Sequence, residues 1–534
     1  MSDTSSGTVR DRFREFLAAN GTSVVFGNPG STELPFFADW PEDLRWVMAL
    51  QEASAVAMAD GYAQATGRPA LVTLHSAAGT GNGMCGIYSA CRNHSPVVVL
   101  AGQQVRAMLP TDPYLFAERP TDFPAPYAKW AIEPARAEDV PAALARAWRL
   151  AAQRPAGPAF VSVPMDDWER HAEPVPPIAL SDRFAAEADA LSAVAAKLAV
   201  AARPVLVVGP ETERDGATGL AVELAERTGA AVWSGPHINR SGFPEDHPSF
   251  RGQLRPSRAL IRTDLADADL VVVLGAPAFL YHVYSPGTPV PAGTEVVVLS
   301  EDPALLARAE CTTGVRTCLR EGLAGLLAAL PEAARNRPAP SPRPAPASRG
   351  GAAPMSGESA LGVLGTVLPA DTLIIEELPT FREIRWQHLP VRRPGGYFSA
   401  ASGGLGWGLP ASVGVALADP ARTVVCLIGD GSFQYSVQAL WTAARLGLRL
   451  VVVVFNNGAY AAMRDLSLTL GAQRPPSYEL PGIDIVHLAQ GYSCAGVRAA
   501  DTDQLADAVR TALAGNGCTV IDAHIADEEK RLYG

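Results

Sequence analysis

Two stretches decide the fold, TVVCLIGDGS (residues 423–432) and LVVVVFNNG (residues 450–458). Each is an uninterrupted apolar, β-branched run, which is typical of a strand buried on both faces in a parallel sheet covered by helices. Each run ends in glycine and an oxygen-bearing side chain, Asp430 in the first and Asn457 in the second. Ligands of open parallel sheets bind beyond the carboxyl ends of the strands, so we expect a binding site there.

The same pattern recurs outward from these stretches. Apolar runs at residues 97–100, 205–208, 270–274 and 296–299 predict further buried strands, and they alternate with Ala/Leu-rich helical segments such as residues 142–152. Repeated strand–helix alternation predicts an α/β fold of three doubly wound parallel-sheet domains. We place them at residues 1–178, 179–336 and 355–534. A proline-rich linker, residues 337–354, separates the last two, because alternating proline with Ala, Ser and Arg cannot build a core.

Composition narrows the class of protein. The chain has 534 residues, 48% hydrophobic and 19% charged, with a net charge of −11. That balance argues against a nucleic-acid-binding surface, which needs a basic footprint. Seven cysteines stand without a C-x-x-C pair, so we expect reduced thiols in a cytoplasmic protein. The apolar runs are strand-sized, and we expect no membrane partner.

The two strand ends offer a site for a phosphate and a metal ion. Gly429 and Gly431 let backbone approach a phosphate, and a helix predicted from about Ser432 offers free N–H groups. Asp430 and the amide oxygen of Asn457 are hard ligands suited to Mg²⁺, with Ca²⁺ as a possible substitute. Two ordinary turns are the alternative, but both strand ends carrying such groups at a spacing of about 25 residues favours a site.

This pair resembles the diphosphate-binding signature of thiamine-diphosphate-dependent enzymes, and the resemblance extends along the chain. FGNPGS (26–31), LQEA (50–53) and LHSAAGTGN (74–82) are similar to the pyrimidine-binding domain of that family, and more narrowly to its benzoylformate decarboxylase branch. The segments AGQQ (101–104), VPMDDW (163–168), GAP (275–277) and GGLG (403–406) fit the same branch.

The resemblance implies a role for each matching residue. It gives Glu52, His75, His282 and Ser31 catalytic roles, with Glu52 hydrogen-bonded to the cofactor pyrimidine, the histidines moving protons near neutral pH and Ser31 contacting the substrate carboxylate. A favourable acid at a helix start, structural histidines and a capping serine are the alternatives. The implied cofactor-binding residues are Glu52, Thr380, Gly403, Leu405, Gly429, Asp430, Gly431, Ser432, Asn457 and Tyr460. The implied metal ligands are Asp430, Asn457 and Ala459.

The substrate pocket is where the chain departs from the family. Pro379 replaces a small hydroxyl residue, which removes a hydroxyl and an N–H donor. Ser399 and Leu466 stand where the branch has aromatic rings, so stacking surface is lost. The implied substrate-pocket residues are Pro29, Gly30, Ser31, Pro379, Ser399, Ala462, Met463 and Leu466.

We therefore expect a Mg²⁺- and thiamine-diphosphate-dependent, non-oxidative decarboxylase that converts a benzoylformate-like 2-oxo acid to an aldehyde and CO₂. A carboligase making 2-hydroxy ketones is the nearest alternative, and a flavin-linked 2-oxo acid oxidase is a further one. GNGMCG (81–86) fits a dinucleotide motif, but the next strand ends without an acidic residue. The middle domain lacks a glycine-rich phosphate fingerprint, so we expect no FAD. The family builds its site between subunits, which implies a homo-oligomer, a tetramer with sites at the dimer interface.

Overall fold

The computed structural model describes residues 7–176, 178–331, 353–528 and residue 532. The predicted linker, residues 337–354, lies outside the described residues except for its last two positions. The described chain forms three α/β units, each built on a six-stranded sheet, and this confirms the predicted fold class.

The N-terminal unit has a parallel sheet in the order β3-β2-β4-β5-β7-β6, and a short antiparallel pair joins β1 to β8. Short 3-10 helices lie at Ser31–Glu33, Leu109–Thr111 and Ala137–Asp139. Its strands and helices are β1 (Gly7–Thr8), α1 (Val9–Ala19), β2 (Val24–Gly27), α2 (Leu34–Phe37), β3 (Arg45–Met48), α3 (Glu52–Thr66), β4 (Ala70–Leu74), α4 (Ser76–Arg92), β5 (Val97–Gln103), β6 (Ala131–Ile132), α5 (Val140–Ala152), β7 (Ala159–Pro164) and β8 (His171–Ala172).

The middle unit has a parallel sheet in the order β11-β10-β9-β12-β13-β14. Its elements are α6 (Ala188–Val200), β9 (Pro204–Val208), α7 (Pro210–Arg214), α8 (Thr218–Thr228), β10 (Ala231–Ser234), β11 (Phe250–Gln253), α9 (Arg258–Asp264), β12 (Leu270–Leu274), β13 (Glu295–Ser300), α10 (Pro303–Arg308), β14 (Thr313–Arg316) and α11 (Leu319–Ala329).

The C-terminal unit has a parallel sheet in the order β16-β15-β17-β18-β20-β19. Its elements are α12 (Gly357–Val367), β15 (Leu373–Glu377), α13 (Arg382–His388), β16 (Tyr397–Ser399), α14 (Gly408–Ala418), β17 (Val424–Gly429), α15 (Asp430–Gln434), α16 (Ala439–Arg445), β18 (Leu450–Asn456), α17 (Ala461–Leu470), α18 (Ile485–Gly491), β19 (Ala495–Ala499), α19 (Thr502–Ala514) and β20 (Cys518–His524).

The deciding stretches form β17 and β18, which are hydrogen-bonded neighbours in parallel register. All their residues are buried up to the last position of each strand, as uninterrupted apolar runs predict. The strand order reverses direction between β15 and β17, and a crevice opens at the carboxyl ends of strands at such a switch point. The carboxyl ends of β15, β17 and β18 therefore meet at one edge of the sheet.

The structure corrects one detail of the sequence interpretation and adds a second argument against the dinucleotide motif. The helix after β17 begins at Asp430 rather than near Ser432, with Gly429 as its N-cap. The glycines of residues 81–86 lie inside α4, which begins at Ser76 directly after His75. A dinucleotide fingerprint needs its glycines in the turn between strand and helix, so the structure agrees with the sequence argument against a dinucleotide site here.

The N- and C-terminal units share one hydrophobic core. Helix α3 packs on α14, and small residues allow their backbones to approach closely. A Cβ at Gly61 would lie 2.3 Å from the carbonyl oxygen of Ala411, and a Cβ at Gly414 would lie 1.9 Å from that of Met58. This contact places the helix that begins at Glu52 against the unit that carries the strand-end groups. Among the described residues, no helix is both long and apolar enough to cross a membrane.

Candidate active site

A cavity of about 290 Å³ lies at the carboxyl ends of β15, β17 and β18. Its lining combines apolar side chains with the oxygen- and glycine-rich strand ends. Its lining comprises His282, Leu378, Pro379, Thr380, Phe381, Gly403, Leu405, Gly429, Asp430, Gly431, Ser432, Phe455, Asn457, Ala459, Tyr460, Ala461, Ala462, Met463, Leu466 and Leu532. The cavity thus combines residues of the C-terminal unit with one histidine of the middle unit.

Asp430 is a buried carboxylate facing this cavity without a cationic partner among the described residues. Its two oxygens accept backbone hydrogen bonds from Gly431 and Gly458, both at 2.7 Å. Burial raises the pKa of Asp430 to about 6. A buried carboxylate held by dipoles alone lacks a compensating charge, and a divalent cation would supply it. The residues present therefore fit a metal ion.

The second strand end completes the set of oxygen ligands. The side-chain oxygen of Asn457 accepts a hydrogen bond from the Ala459 N–H at 3.2 Å, which folds the turn back toward Asp430. Ala459 can offer only its backbone carbonyl. Carboxylate, amide and carbonyl oxygens are the ligands that Mg²⁺ and Ca²⁺ accept.

Gly431 has a steric reason to be glycine. A Cβ at this position would lie 2.4 Å from the ring of Tyr460. The tyrosine packs against Gly431, which is buried in the first turn of α15, and both residues line the cavity. Backbone that a ligand approaches closely favours glycine, which suits the diphosphate site predicted here.

His282 brings the middle unit into the cavity. Its ring meets that of His237 edge-on, with centroids 5.7 Å apart. Burial, followed by the Arg382 guanidinium and His282, lowers the pKa of His237 to about 3. His237 is therefore neutral at physiological pH, and the ring that packs against His282 carries no charge.

The N-terminal unit holds a second cluster around His75, at the carboxyl end of β4. The His75 Nδ1 lies 2.9 Å from the Thr32 hydroxyl and 3.3 Å from a Glu33 carboxylate oxygen. Gly30 contacts the imidazole so closely that a Cβ there would lie 2.2 Å from the ring. The hydrogen bond and charge of Glu33, with a contribution from Glu52, raise the pKa of His75 above its ordinary value.

Glu52 is the first residue of α3, next to the N-cap Gln51. Its side chain accepts a hydrogen bond from the Asn82 amide at 3.2 Å. Pro29 and Ser31, which the sequence predicts for the substrate pocket, are exposed beside this cluster. Glu52, His75 and the loop of residues 29–31 therefore form one surface of the N-terminal unit.

Within the chain, the N-terminal cluster around His75 does not contribute to the cavity at the ends of β15, β17 and β18. The residues that line the cavity include His282 and every predicted cofactor or metal residue except Glu52. No described residue of the N-terminal unit is in the lining. Ser399 is also outside the lining, because it is fully buried at the end of β16, where its hydroxyl accepts a hydrogen bond from Arg382 at 3.0 Å.

Several lining residues have no recognisable sequence signal. Phe381 and Phe455 pack with ring centroids 5.7 Å apart in the lining of the cavity, and they bring aromatic surface that the sequence interpretation missed. The partners of His75, Thr32 and Glu33, were also missed. Their only hint was their position directly after Ser31, in a loop already singled out.

The switch point of the middle sheet has little space for a ligand. A Cβ at Gly209 would lie 2.4 Å from the Ala276 Cα, so the ends of β9 and β12 are in close contact. Glu211 fills the adjoining crevice, where its oxygens accept hydrogen bonds from the Ser300 hydroxyl at 2.7 Å and the Glu301 N–H at 2.9 Å. A carboxylate thus occupies the hydrogen-bond donors that a phosphate would need.

Comparison with known families agrees with this arrangement. Residues 7–117 match the N-terminal thiamine pyrophosphate binding domain of thiamine pyrophosphate enzymes, residues 191–326 match their central domain, and residues 381–523 match their C-terminal binding domain. The chain therefore belongs to the thiamine pyrophosphate enzymes, and its three α/β units are the three domains of that family.

Within the family, the chain belongs with the decarboxylases of the benzoylformate type. It is 40% identical to a benzoylformate decarboxylase of Pseudomonas aeruginosa over 96% of this chain and 98% of that protein. The crystal structure of benzoylformate decarboxylase from Polynucleobacter necessarius superposes with a TM-score of 0.95, at 35% identity, and covers 98% of this chain and 100% of that one. A 4-hydroxybenzoylformate decarboxylase of Rhodococcus jostii superposes with a TM-score of 0.94, at 37% identity and the same coverages of 98% and 100%.

Proposed function

We propose that the protein catalyses the non-oxidative decarboxylation of an aromatic 2-oxo acid of the benzoylformate class to the aldehyde and CO₂, with thiamine diphosphate and Mg²⁺ as cofactors. The observation that carries this proposal is the cavity at the switch point of the C-terminal sheet, whose lining combines an unneutralised buried carboxylate with apolar side chains. Relatives named for this chemistry support it.

The cofactor residues divide by position. Asp430, Asn457 and the Ala459 carbonyl would hold the metal ion, and Gly431 with Ser432 would face the diphosphate. Leu405 and Gly403 line the cavity beside these groups. When bound, the thiazolium group supplies the electron sink that makes loss of CO₂ feasible.

The chain's own residues bind, orient and move protons. Glu52, with its carboxyl at the end of α3, would hold a proton at the pyrimidine ring nitrogen. His75, whose pKa Glu33 raises, would carry a proton in the N-terminal cluster, and His282 faces the cavity from the middle unit. Phe381, Leu466 and their apolar neighbours would surround the substrate ring and exclude water.

The divided site supports an oligomer. Glu52 and His75 lie on a surface of the N-terminal unit, whereas the cavity lining comes from the other two units. We propose that a second copy places its N-terminal cluster over this cavity, in a dimer that pairs into a tetramer. Leu50, two residues before Glu52, is an exposed apolar side chain that such an interface would bury.

The remaining proposals concern flavin and location. The filled crevice at Glu211 supports an enzyme without FAD, so we do not favour a flavin-linked oxidase. All seven cysteines are free thiols, which supports a reducing, cytoplasmic location. We expect the purified protein to show no flavin absorbance at roughly 450 nm.

A substrate panel tests the proposed function. Purified protein with thiamine diphosphate and Mg²⁺ is given aromatic, branched and straight-chain 2-oxo acids, and CO₂ and aldehyde are measured. We expect aromatic substrates to be turned over fastest, and Asp430→Ala to lose both activity and metal-dependent cofactor binding. If no 2-oxo acid releases CO₂, the proposal fails. If an added acceptor aldehyde yields hydroxy ketone while free aldehyde never forms, the enzyme is a carboligase instead.

A further inference from the structure

Glu377 is a buried carboxylate that the proposed reaction does not use. It is the last residue of β15, and 4% of its surface is exposed. One of its oxygens accepts a hydrogen bond from the Gly406 N–H at 2.7 Å, and the other accepts one from the Gly408 N–H at 2.5 Å. The two oxygens therefore bridge two backbone donors on either side of Trp407.

These two donors belong to the segment of residues 403–408, which carries the cavity residue Leu405. Its glycines Gly403 and Gly406 have φ angles of +72° and +91°, which few other residues adopt without strain. Glycines leave a backbone with many alternative conformations, so external contacts must fix this one. Packing alone is insufficient here, because Leu405 faces open cavity space.

The N-terminal unit anchors the two ends of the segment. The side-chain oxygen of Asn93 accepts a hydrogen bond from the Ala401 N–H at 2.8 Å. The buried carboxylate of Asp60 accepts one from the Trp407 indole at 2.7 Å. Beside the second anchor, Glu377 holds the backbone on either side of Trp407, immediately after Leu405.

We propose that Glu377 is a positioning residue that holds the segment of residues 403–408 so that Leu405 projects into the cofactor cavity. The inference rests on the proposed function in one respect, namely that this cavity binds thiamine diphosphate. An ionised carboxylate accepts from two N–H groups at once. A side-chain amide has a single acceptor oxygen, and its NH₂ group would face a backbone N–H.

Protonation of Glu377 would have the same consequence as its replacement by glutamine, since one of the two backbone N–H groups would lose its acceptor. Burial raises the pKa of Glu377 to about 7. Four charged or titratable groups surround it, namely Glu376 on β15, Arg382 on α13, Cys426 on β17 and Cys85 on α4. Glu376 raises the pKa of Glu377, whereas Arg382 and the two backbone N–H groups lower it. As the pH falls through about 7, one oxygen becomes a donor and a backbone N–H loses its acceptor.

Calorimetric titration of the metal-free protein with thiamine diphosphate and Mg²⁺ between pH 5.5 and 8.5, an interval of about 1.5 units on either side of the pKa, tests this proposal. Wild-type affinity should increase as the pH rises through about 7. Glu377→Gln should bind the cofactor roughly 10- to 100-fold more weakly at pH 8, since a hydrogen bond to a charged group is lost. Its affinity should lose the pH-dependent step centred near 7, while the dependence set by Asp430, whose pKa burial raises to about 6, remains. Glu377→Asp keeps both acceptor oxygens and should retain the step near 7.

Glu245→Gln is the matched control. Glu245 is an equally buried carboxylate that pairs with Arg385 at 2.6 Å and accepts the Val391 N–H at 2.7 Å, away from the segment. This variant should lower the melting temperature while leaving the pH step in place. The inference is wrong if Glu377→Gln binds the cofactor with wild-type affinity and wild-type pH dependence. It is also wrong if the pH-dependent step is lost in Glu245→Gln or in Glu377→Asp. If Glu377→Gln does not fold, the result for Glu377→Asp decides. Wild-type protein that binds no thiamine diphosphate would instead refute the proposed function.

Discussion

One carboxylate, that of Glu33, is the main cause of the raised pKa of His75 in the N-terminal cluster. Glu33 is 2% exposed, and one of its oxygens lies 3.3 Å from the His75 Nδ1. Its other oxygen accepts hydrogen bonds from the Thr32 hydroxyl at 2.7 Å and the Gly102 N–H at 3.0 Å. The carboxylate is therefore fixed by the protein, and its charge favours the protonated imidazole.

Glu33→Gln should make His75 a stronger acid. The variant removes the largest cause of the raised His75 pKa, so that pKa should fall. If protonated His75 delivers the proton that releases the aldehyde, activity declines as His75 deprotonates. The alkaline limb of the pH–rate profile should then move to lower pH, by up to about one unit.

The measurement is kcat against pH for wild type and Glu33→Gln. Glu226→Gln serves as the control, because it removes a carboxylate 3.4 Å from His247 at the surface and should leave the profile unchanged. An alkaline limb that stays in place in Glu33→Gln would show that another group controls it.

Residue types and their order therefore gave the candidate chemistry but not the pKa values. The sequence shows that Ser31, Glu52 and His75 match a family pattern. It does not show that Glu33 reaches across to the end of β4, because that distance depends on how the loop after β2 folds over the sheet. Ser399 illustrates the same limit, since its buried hydroxyl bonds Arg382 rather than lining the cavity.

At the scale of elements, the contact between α3 and α14 fixes the geometry of the N- and C-terminal units. Gly61 and Gly414 allow the two backbones to approach until side-chain-sized space disappears. Such close packing makes the relative position of the two helices sensitive to a single methyl group.

Gly414→Ala should destabilise the protein. The new Cβ would lie 1.9 Å from the carbonyl oxygen of Met58, which is backbone and can move only with α3. We expect a loss of about 1–3 kcal/mol in the free energy of unfolding, measured by urea denaturation. Gly219→Ala in α8 is the control, because a Cβ there meets no atom within 4 Å. It should be neutral or stabilising by up to about 1 kcal/mol, and equal losses in both variants would contradict the packing argument.

Apolar runs predicted the strands well because parallel strands are buried on both faces. Their bounds shifted by a residue or two, as for β18, which extends to Asn456. Helix starts were harder, since the glycines of α4 mimic a loop in sequence but are tolerated inside a helix packed on α3. There, a Cβ at Gly86 would lie 2.6 Å from Val56.

At the scale of the whole molecule, the proposed assembly predicts complementation between two inactive variants. Glu52→Gln damages the N-terminal cluster, and Asp430→Ala damages the cavity. If each active site combines the N-terminal cluster of one chain with the cavity of the other, a mixed dimer contains one site with both residues intact and one with neither. Random mixing should then restore about a quarter of wild-type activity, since half the dimers are mixed and each has one working site.

The measurement is decarboxylation after the two variants are coexpressed or dissociated and reassembled. Each variant alone should remain nearly inactive, and size-exclusion chromatography should show the same oligomer for both. An active site formed within one chain would give no recovery, because no chain in the mixture carries both intact residues.

The sequence by itself determined the fold class, the three units and the chemistry of the strand ends, because burial patterns and glycine-flanked oxygen ligands are local properties of the chain. Only the tertiary structure decided that Glu33 raises the pKa of His75, that Glu377 binds the backbone next to Leu405, and that no described residue of the N-terminal cluster lines the cavity. Those facts depend on distances between segments tens to hundreds of residues apart, and such distances are set by the packing of whole helices and sheets rather than by any local pattern.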